Sequence, residues 1–319
     1  MTAHGRILAL CGGVGGAKLV LGLSQILPPS RLKVVVNTGD DFEHMGLLVC
    51  PDLDTVTYTL AGLVDPEQGW GRADESWQAL ETVERLGGET WFRLGDRDLG
   101  LHLVRRALLE QGMSLSEVSA HIAAELKIKT AIVPMSDDAV RTEVETEQGR
   151  LSFQHYFVRE KCEPALWGIR YAGVKKAQPA AAFTKALKDP GLSAVVICPS
   201  NPFLSVDPIL SLPGVRETLK GLRAPVIAVS PVVKGKAIKG PTAKIMQELG
   251  VAVSVEGIAD HYNGLLDGLI IDRLDRGAAP RLEERLAVHW CDTVMTDTAR
   301  KAALAREVIK FANEISEKE

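Results

Sequence analysis

An apolar run that breaks into glycines and resumes as a helix constrains this chain more than any other feature. Residues 6–10 read as a short buried strand ending in Cys11, followed by Gly12-Gly13-Val14-Gly15-Gly16. A helical stretch over residues 17–26 comes next and is closed by Pro28-Pro29. A second β-branched run, Lys33-Val-Val-Val-Asn37, ends in Thr38-Gly39-Asp40-Asp41. Two buried strands joined through a helix predict a parallel, doubly wound α/β sheet of the Rossmann-like kind. The turn between strand and helix gathers free backbone N–H groups and the positive helix end at one point, which suits a phosphate. It lacks the ending of a P-loop and is not a clean dinucleotide fingerprint. Tight helix–sheet packing is therefore the competing explanation of its glycines.

The middle of the chain changes character. Helical patterns over residues 75–86, 99–111 and 115–126 follow one another, and Ser114 with Glu117 forms a capping box for the last. Residues 60–126 are thus expected to be an inserted helical subdomain, with residues 1–59 and 127–319 forming the nucleotide- and substrate-binding core. Strand patterns resume over residues 130–134, 194–198, 225–230, 251–255 and 269–272. Period-two alternation over residues 141–147 and 151–157 predicts a β-hairpin. A last helix is expected over residues 298–316.

Hydrophobic residues make up 46% of the 319 residues and charged residues 24%, so a large core is available. A formal net charge of -4 supplies no basic field for nucleic acid or an anionic membrane, and any phosphate ligand must be met locally. No apolar run approaches the roughly 18 residues of a membrane span. Five scattered cysteines without a CxxC pair argue against a disulfide framework or a zinc site, and a cytoplasmic location is expected.

Polar loops recur after the strands, where open α/β sheets bind ligands. Asp40 and Asp41 follow the second strand, with Asp52 and Asp54 just beyond. Carboxylates beside a phosphate-binding turn suit Mg²⁺ and phosphoryl transfer, although Asp54 could merely cap a helix beginning near Thr55. Arg93-Leu-Gly-Asp-Arg-Asp98 precedes a helix carrying His102 and Arg105 on one face, a pattern that composition alone reads as a solvated basic helix. Met135-Ser136-Asp137-Asp138 either binds ligand hydroxyls or forms a turn. Two prolines stiffen Cys198-Pro199-Ser200-Asn201-Pro202 and present Ser200 and Asn201. The lysines of residues 230–241 (Lys234, Lys236 and Lys239) could face a diphosphate.

With these segments in place, the chain resembles the 2-phospho-L-lactate transferases of coenzyme F420 biosynthesis, the CofD-like proteins. The resemblance runs through GGVGGAKL at 12–19, NTGDD at 37–41, PDLDTVTYTL at 51–60, WG at 70–71, LGDRD at 94–98 and MSDD at 135–138. It continues through FQHY at 153–156, PSNP at 199–202, SPVVKGKAIKGP at 230–241 and DTVMTDT at 292–298. It implies a Rossmann-like core with a helical insertion, a homodimer and Mg²⁺. It also implies a donor in which guanosine diphosphate is linked to lactate, enolpyruvate or glycerate, and the deazaflavin Fo as acceptor. The ribityl hydroxyl of Fo would attack the distal phosphorus and release GMP. By the same resemblance Asp54 and Arg93 contact Fo, and Ser136 and Asp137 are expected to join them. Asp54 and Asp40 serve the chemistry, and Asp40, Asp41 and Asp54 the metal. Gly12, Gly13, Gly15, Gly16, Lys18, Ser200 and Asn201 are expected to hold the nucleotide. Lys234 stands where the family commonly has a small residue.

Two other functions compete. Non-catalytic regulators of the same superfamily bind nucleotide sugars through a similar glycine turn. A nicotinamide dehydrogenase would want an acid ending the second strand, where this chain has Asn37-Thr38.

Overall fold

The computed structural model describes residues 5–237 and 240–317. Seven strands make one sheet: β1 (Arg6–Cys11), β2 (Leu32–Val36), β3 (Ala131–Pro134), β4 (Leu192–Ile197), β5 (Val226–Val229), β6 (Gly268–Asp272) and β7 (Ala287–Cys291). Their order is β3-β2-β1-β4-β5-β6-β7, and every neighbouring pair is parallel. Successive strands run outward from β1 in one direction as far as β3, then outward in the other from β4. The order reverses between β1 and β4, which opens a crevice beyond their carboxyl ends.

Alternation along β1 explains why this strand is central. Leu8 and Leu10 enter the core on one face, whereas Ile7, Ala9 and Cys11 enter the core on the other. Helices α1 (Gly13–Ile26) and α2 (Pro51–Ala61) and the C-terminal helix Thr298–Ser316 cover the second face. Proline at the first position of α2 loses an N–H that no helical bond needs, so the helix starts at Pro51 rather than near Thr55.

Three further helices separate α2 from β3: α3 (Gln78–Arg85), α4 (Asp96–Glu110) and α5 (Leu115–Glu125). The expected capping box is present at α5, with Ser114 and Glu117 satisfying each other's backbone N–H groups. Helix α5 packs against β3. Helices α3 and α4 exchange caps. Asp96, the first residue of α4, accepts from the N–H groups of Gln78 and Ala79 at 3.1 and 3.0 Å, and Glu75 accepts from those of Arg97 and Asp98 at 2.8 Å each. Glu75 is thus spent on the neighbouring helix, which is why α3 starts at Gln78.

Three differences from the sequence reading have local causes. Residues 251–255 form no strand, because Ser254 caps the helix Val255–His261 by accepting from the Gly257 N–H at 3.1 Å. The second hairpin arm stops at Ser152, residues 155–159 wind into a π-helical turn, and Phe153 just before it stacks on Phe157 at 5.4 Å. That i,i+4 aromatic pair has the helical period, and the alternation hid it. Leu166–Ala172 then adds a third strand to the antiparallel sheet begun by Arg141–Thr146 and Gly149–Ser152. Neither it nor β7 stood out in the sequence, because Gly168 and Arg170 interrupt the first apolar run and His289 the second.

Candidate functional site

The crevice is floored by the turns that follow β1 and β4, and these are locked together. Ser200 Oγ donates to the Gly12 carbonyl at 2.8 Å, and the Gly12 N–H returns to Ser200 Oγ at 3.2 Å. Helix α1 starts at Gly13, whose φ of 63° only glycine adopts readily, so Gly15 and Gly16 lie in its first turn rather than in a loop. A Cβ on Gly15 would strike the carbonyl of Pro199. A Cβ on Gly16 would stand 2.7 Å from Ser200 Oγ. The glycines therefore have the packing role that competed with phosphate binding in the sequence, and they bring a helix N-terminus to the switch point. Lys18 is half-buried one turn further along α1.

The first turn of α2 closes this floor. Asp52 Oδ1 accepts from the Gly13 N–H at 2.7 Å, and its Oδ2 accepts from Asn37 Nδ2 at 2.9 Å. Asn37 also donates to the Leu204 carbonyl at 3.1 Å and accepts from the Gly39 N–H at 2.8 Å. Burial pushes the Asp52 carboxyl up to about 6, against the hydrogen bonds from Asn37, Gly13 and Ser205. The residue types of Asn37 and Asp52 were visible in the sequence, but their bridging role was not, because 15 residues and a small hairpin (Phe42–His44 with Leu47–Val49) separate them.

Asp40 and Asp41, in the turn after β2, are nearly inaccessible, at 7% and 3% exposure. Each keeps one carboxylate oxygen, Oδ1, buried without a well-formed hydrogen bond, although the Thr142 hydroxyl lies close enough to Asp40, and the Cys50 thiol to Asp41, to favour the charged form. Burial, together with the charge of Asp52, raises Asp40 well above the usual carboxylate range. Burial raises Asp41 to about 8, although Arg141 and Arg105 oppose it. Orphaned buried acids of this kind ask for a cation or a proton.

Asp54 differs. Its carboxylate is gripped by Arg105, with Nη2 on Oδ1 and Nη1 on Oδ2 at 3.2 Å. Among the described residues no three His, Cys, Asp or Glu side chains converge as a metal cluster, and Asp54 does not complete one with Asp40 and Asp41. A site of one or two carboxylates plus ligand phosphates is nevertheless what Mg²⁺ usually takes, and the free oxygens of Asp40 and Asp41 fit it. His102 and Arg105 are buried at 1% and 3% exposure, so α4 is not the solvated basic helix that composition suggested.

The other predicted residues fall into two groups. Asn201 stays at the crevice, where its Oδ1 accepts from the Phe203 and Leu204 N–H groups and its Nδ2 donates to Thr242 Oγ1 at 3.0 Å. Arg93 is exposed and lies over the Trp77 ring at 4.1 Å. Ser136 and Asp137 form a turn: Ser136 donates to the Gln178 carbonyl at 2.6 Å, and Asp137 accepts from the N–H and hydroxyl of Ser116 in α5. Lys234 sits further along the same rim at a φ of 49°, its N–H held by Asp275. With Arg273, Arg276 and Trp290 it lines an open hollow of about 570 Å³. Lys239 lies outside the described residues. An aromatic group that the sequence did not bring together, Phe42, His44, Trp91 and Phe92, packs with ring centroids 4.8 to 6.1 Å apart beside the small hairpin.

A parallel sheet of this order, with a helix N-terminus and buried carboxylates at its switch point, defines a doubly wound α/β protein whose crevice lies where such sheets bind ligands. The sequence pattern of the 2-phospho-L-lactate transferase CofD family matches residues 7–311, and the chain belongs to that family of transferases. It is 41% identical over 306 residues to a 2-phospho-L-lactate transferase of Methanosarcina acetivorans, covering 95% of this chain and 98% of that one. It is 38% identical over 317 residues to a phosphoenolpyruvate transferase of Streptomyces griseus, covering 97% and 99%. A crystal structure of a UPF0052 family protein from Bacillus halodurans shares the fold, with a TM-score of 0.62 at 14% identity over 96% of this chain and 98% of that one. Among the described residues no helix is long and apolar enough to cross a membrane.

Proposed function

We propose that this protein transfers a phospho-linked three-carbon acid from a guanosine-diphosphate-type donor to the ribityl hydroxyl of the deazaflavin Fo, releasing GMP, as a step in making coenzyme F420. The observation that carries this reading is the joining of the β1 turn, the β4 turn and the first turn of α2 by the Gly12–Ser200 and Gly13–Asp52 bonds, with the buried carboxylates of Asp40 and Asp41 in the turn after β2. Its relatives at 38 to 41% identity carry transferase names, which favours turnover over nucleotide-sugar binding alone.

In the proposed reaction the hydroxyl oxygen of Fo forms a bond to the distal phosphorus of the donor. The bond from that phosphorus to the oxygen bridging it to GMP breaks, GMP leaves with that oxygen, and the hydroxyl proton passes to solvent or a nearby carboxylate. The residues' task is positioning and charge stabilisation, as is general for phosphoryl transfer. The N-terminal turn of α1 and the Ser200-Asn201 corner orient the diphosphate. Asp40 and Asp41 would hold Mg²⁺, which when bound neutralises charge on the phosphates. Asp54 accepts a hydrogen bond from the attacking hydroxyl, and Arg93, at the edge of the aromatic group, meets the acceptor.

Calorimetric titration of GDP with and without Mg²⁺ tests the donor half. GDP binding that strengthens at least about tenfold with Mg²⁺, and loses that gain in Asp40→Asn and Asp41→Asn, is expected for carboxylates that share a cation with a diphosphate. A Mg²⁺-independent affinity would remove the metal from these residues.

A further inference from the structure

A guanidinium buried as deeply as Arg105, at 3% exposure, is costly to place and is retained only with full pairing. Its pairing here centres on Asp54. Arg105 donates to both oxygens of Asp54 and, at 3.1 Å, to the Leu48 carbonyl of the small hairpin. One turn earlier on α4, His102 Nδ1 stands 3.0 Å from Arg105 Nη1 and 4.0 Å from Asp54 Oδ2. His102 Nε2 lies 3.4 Å from Asp98, which accepts from the Tyr58 hydroxyl of α2 at 2.5 Å. The contacts Arg105–Asp54 and Asp98–Tyr58 therefore clasp α4 to α2 at two levels, and α4 begins directly after the segment that carries Arg93.

We propose that Arg105 is a positioning residue for the transfer, acting through Asp54: it fixes the carboxylate so that its remaining lone pairs receive the acceptor hydroxyl. A carboxylate has about four lone-pair sites, and the guanidinium fork takes two of them. The rest stay available, in an orientation that the clasp sets. On this geometry Asp54 orients the hydroxyl by accepting its hydrogen bond. This inference rests on the reading above that Asp54 faces the acceptor.

Steady-state kinetics with Fo and donor varied separately, on Arg105→Lys, Arg105→Met, Asp54→Asn and the double variant Asp54→Asn/Arg105→Met, test it. Arg105→Met is expected to lower kcat/KM for Fo by about 100-fold, the scale of a misplaced reacting group, while the donor KM stays within about twofold. Arg105→Lys recovers only part, because a point charge lacks the planar fork. In the Asp54→Asn background the Arg105→Met change adds no further loss. Retention of wild-type kcat/KM for Fo by folded Arg105→Met overturns the proposal, and so do losses that multiply in the double variant. Should Arg105→Met fail to fold, Arg105→Lys and the double variant, which removes both charges, decide: undiminished kcat/KM for Fo in Arg105→Lys, or a double variant much worse than Asp54→Asn alone, overturns it. Full transfer by Asp54→Asn instead overturns the underlying reading of Asp54. GDP-induced thermal stabilisation, unchanged in every variant, shows that the donor half is intact.

Discussion

The backbone N–H of Gly13 donates to Oδ1 of Asp52 over 2.7 Å, and this bond sets the first turn of α1 against the first turn of α2. The other oxygen of Asp52 takes Asn37 from the end of β2, so one carboxylate ties together three segments that meet at the switch point. Asp52→Ala removes both acceptors and leaves a buried Asn37 amide and a buried N–H short of a partner. A loss of about 2–6 kcal/mol in urea unfolding is expected, at about 1–3 kcal/mol for each of the two unsatisfied groups, together with weaker GDP binding.

Gly15 tests the packing half of the turn. Its missing side chain leaves room for the Pro199 carbonyl. Gly15→Ala should force the β1 and β4 turns apart at a cost of about 1–3 kcal/mol, read as a lower urea midpoint at unchanged slope. Because the same turn carries the α1 N-terminus, GDP-induced stabilisation should fall as well. A variant as stable as the parent would mean that the two turns move freely.

The ion pair of Asp54 and Arg105 changes what a near-isosteric substitution does. Asp54→Asn keeps the shape but strands a buried guanidinium, so a fold weakened by about 3–5 kcal/mol is expected rather than one left untouched. Urea unfolding of the single variant and of Asp54→Asn/Arg105→Met checks this, the double variant regaining part of the loss.

Asp41 gives the ligand-free protein a pH dependence of known sign. Burial raises its carboxyl from the ordinary value to about 8, so the folded chain binds a proton more tightly than the unfolded one. Stability contributed by the protonated form is lost as pH rises from the usual carboxylate range through about 8, at up to about 1.4 kcal/mol per pH unit. The melting temperature of the ligand-free protein should fall between about pH 6 and about pH 8 more steeply than that of Asp41→Asn. Metal binding requires the deprotonated acid, so stabilisation by Mg²⁺ with GDP should grow over the same interval.

Much of this architecture was legible because its signals are local. The run Ile7 to Cys11, the β-branched Val34-Val35-Val36 and the Ser114–Glu117 box each encode their structure within a few residues. The site was legible as a set of loops after strands, but not as a set of bonds. Nothing in the order of residues says that Asp52 reaches Gly13, or that Arg105 lies under Asp54 some 51 positions away in the chain. The spacing of His102 and Arg105 did place two ionisable groups on one helical face, and their burial turned that face from surface into clasp. Ser136 and Asp137 show the opposite case. A polar loop after a strand looks like a ligand site in sequence, yet their side chains are taken up by the Gln178 carbonyl and the cap of α5.

Mass spectrometry of the products formed from Fo, Mg²⁺ and guanosine-diphosphate-linked lactate, enolpyruvate and glycerate offered in competition bears most directly on the central claim. Attack on the distal phosphorus predicts Fo carrying the phospho-linked acid in a phosphodiester, with one GMP released for each product. Unmodified Fo, or GDP in place of GMP as the leaving nucleotide, would contradict it.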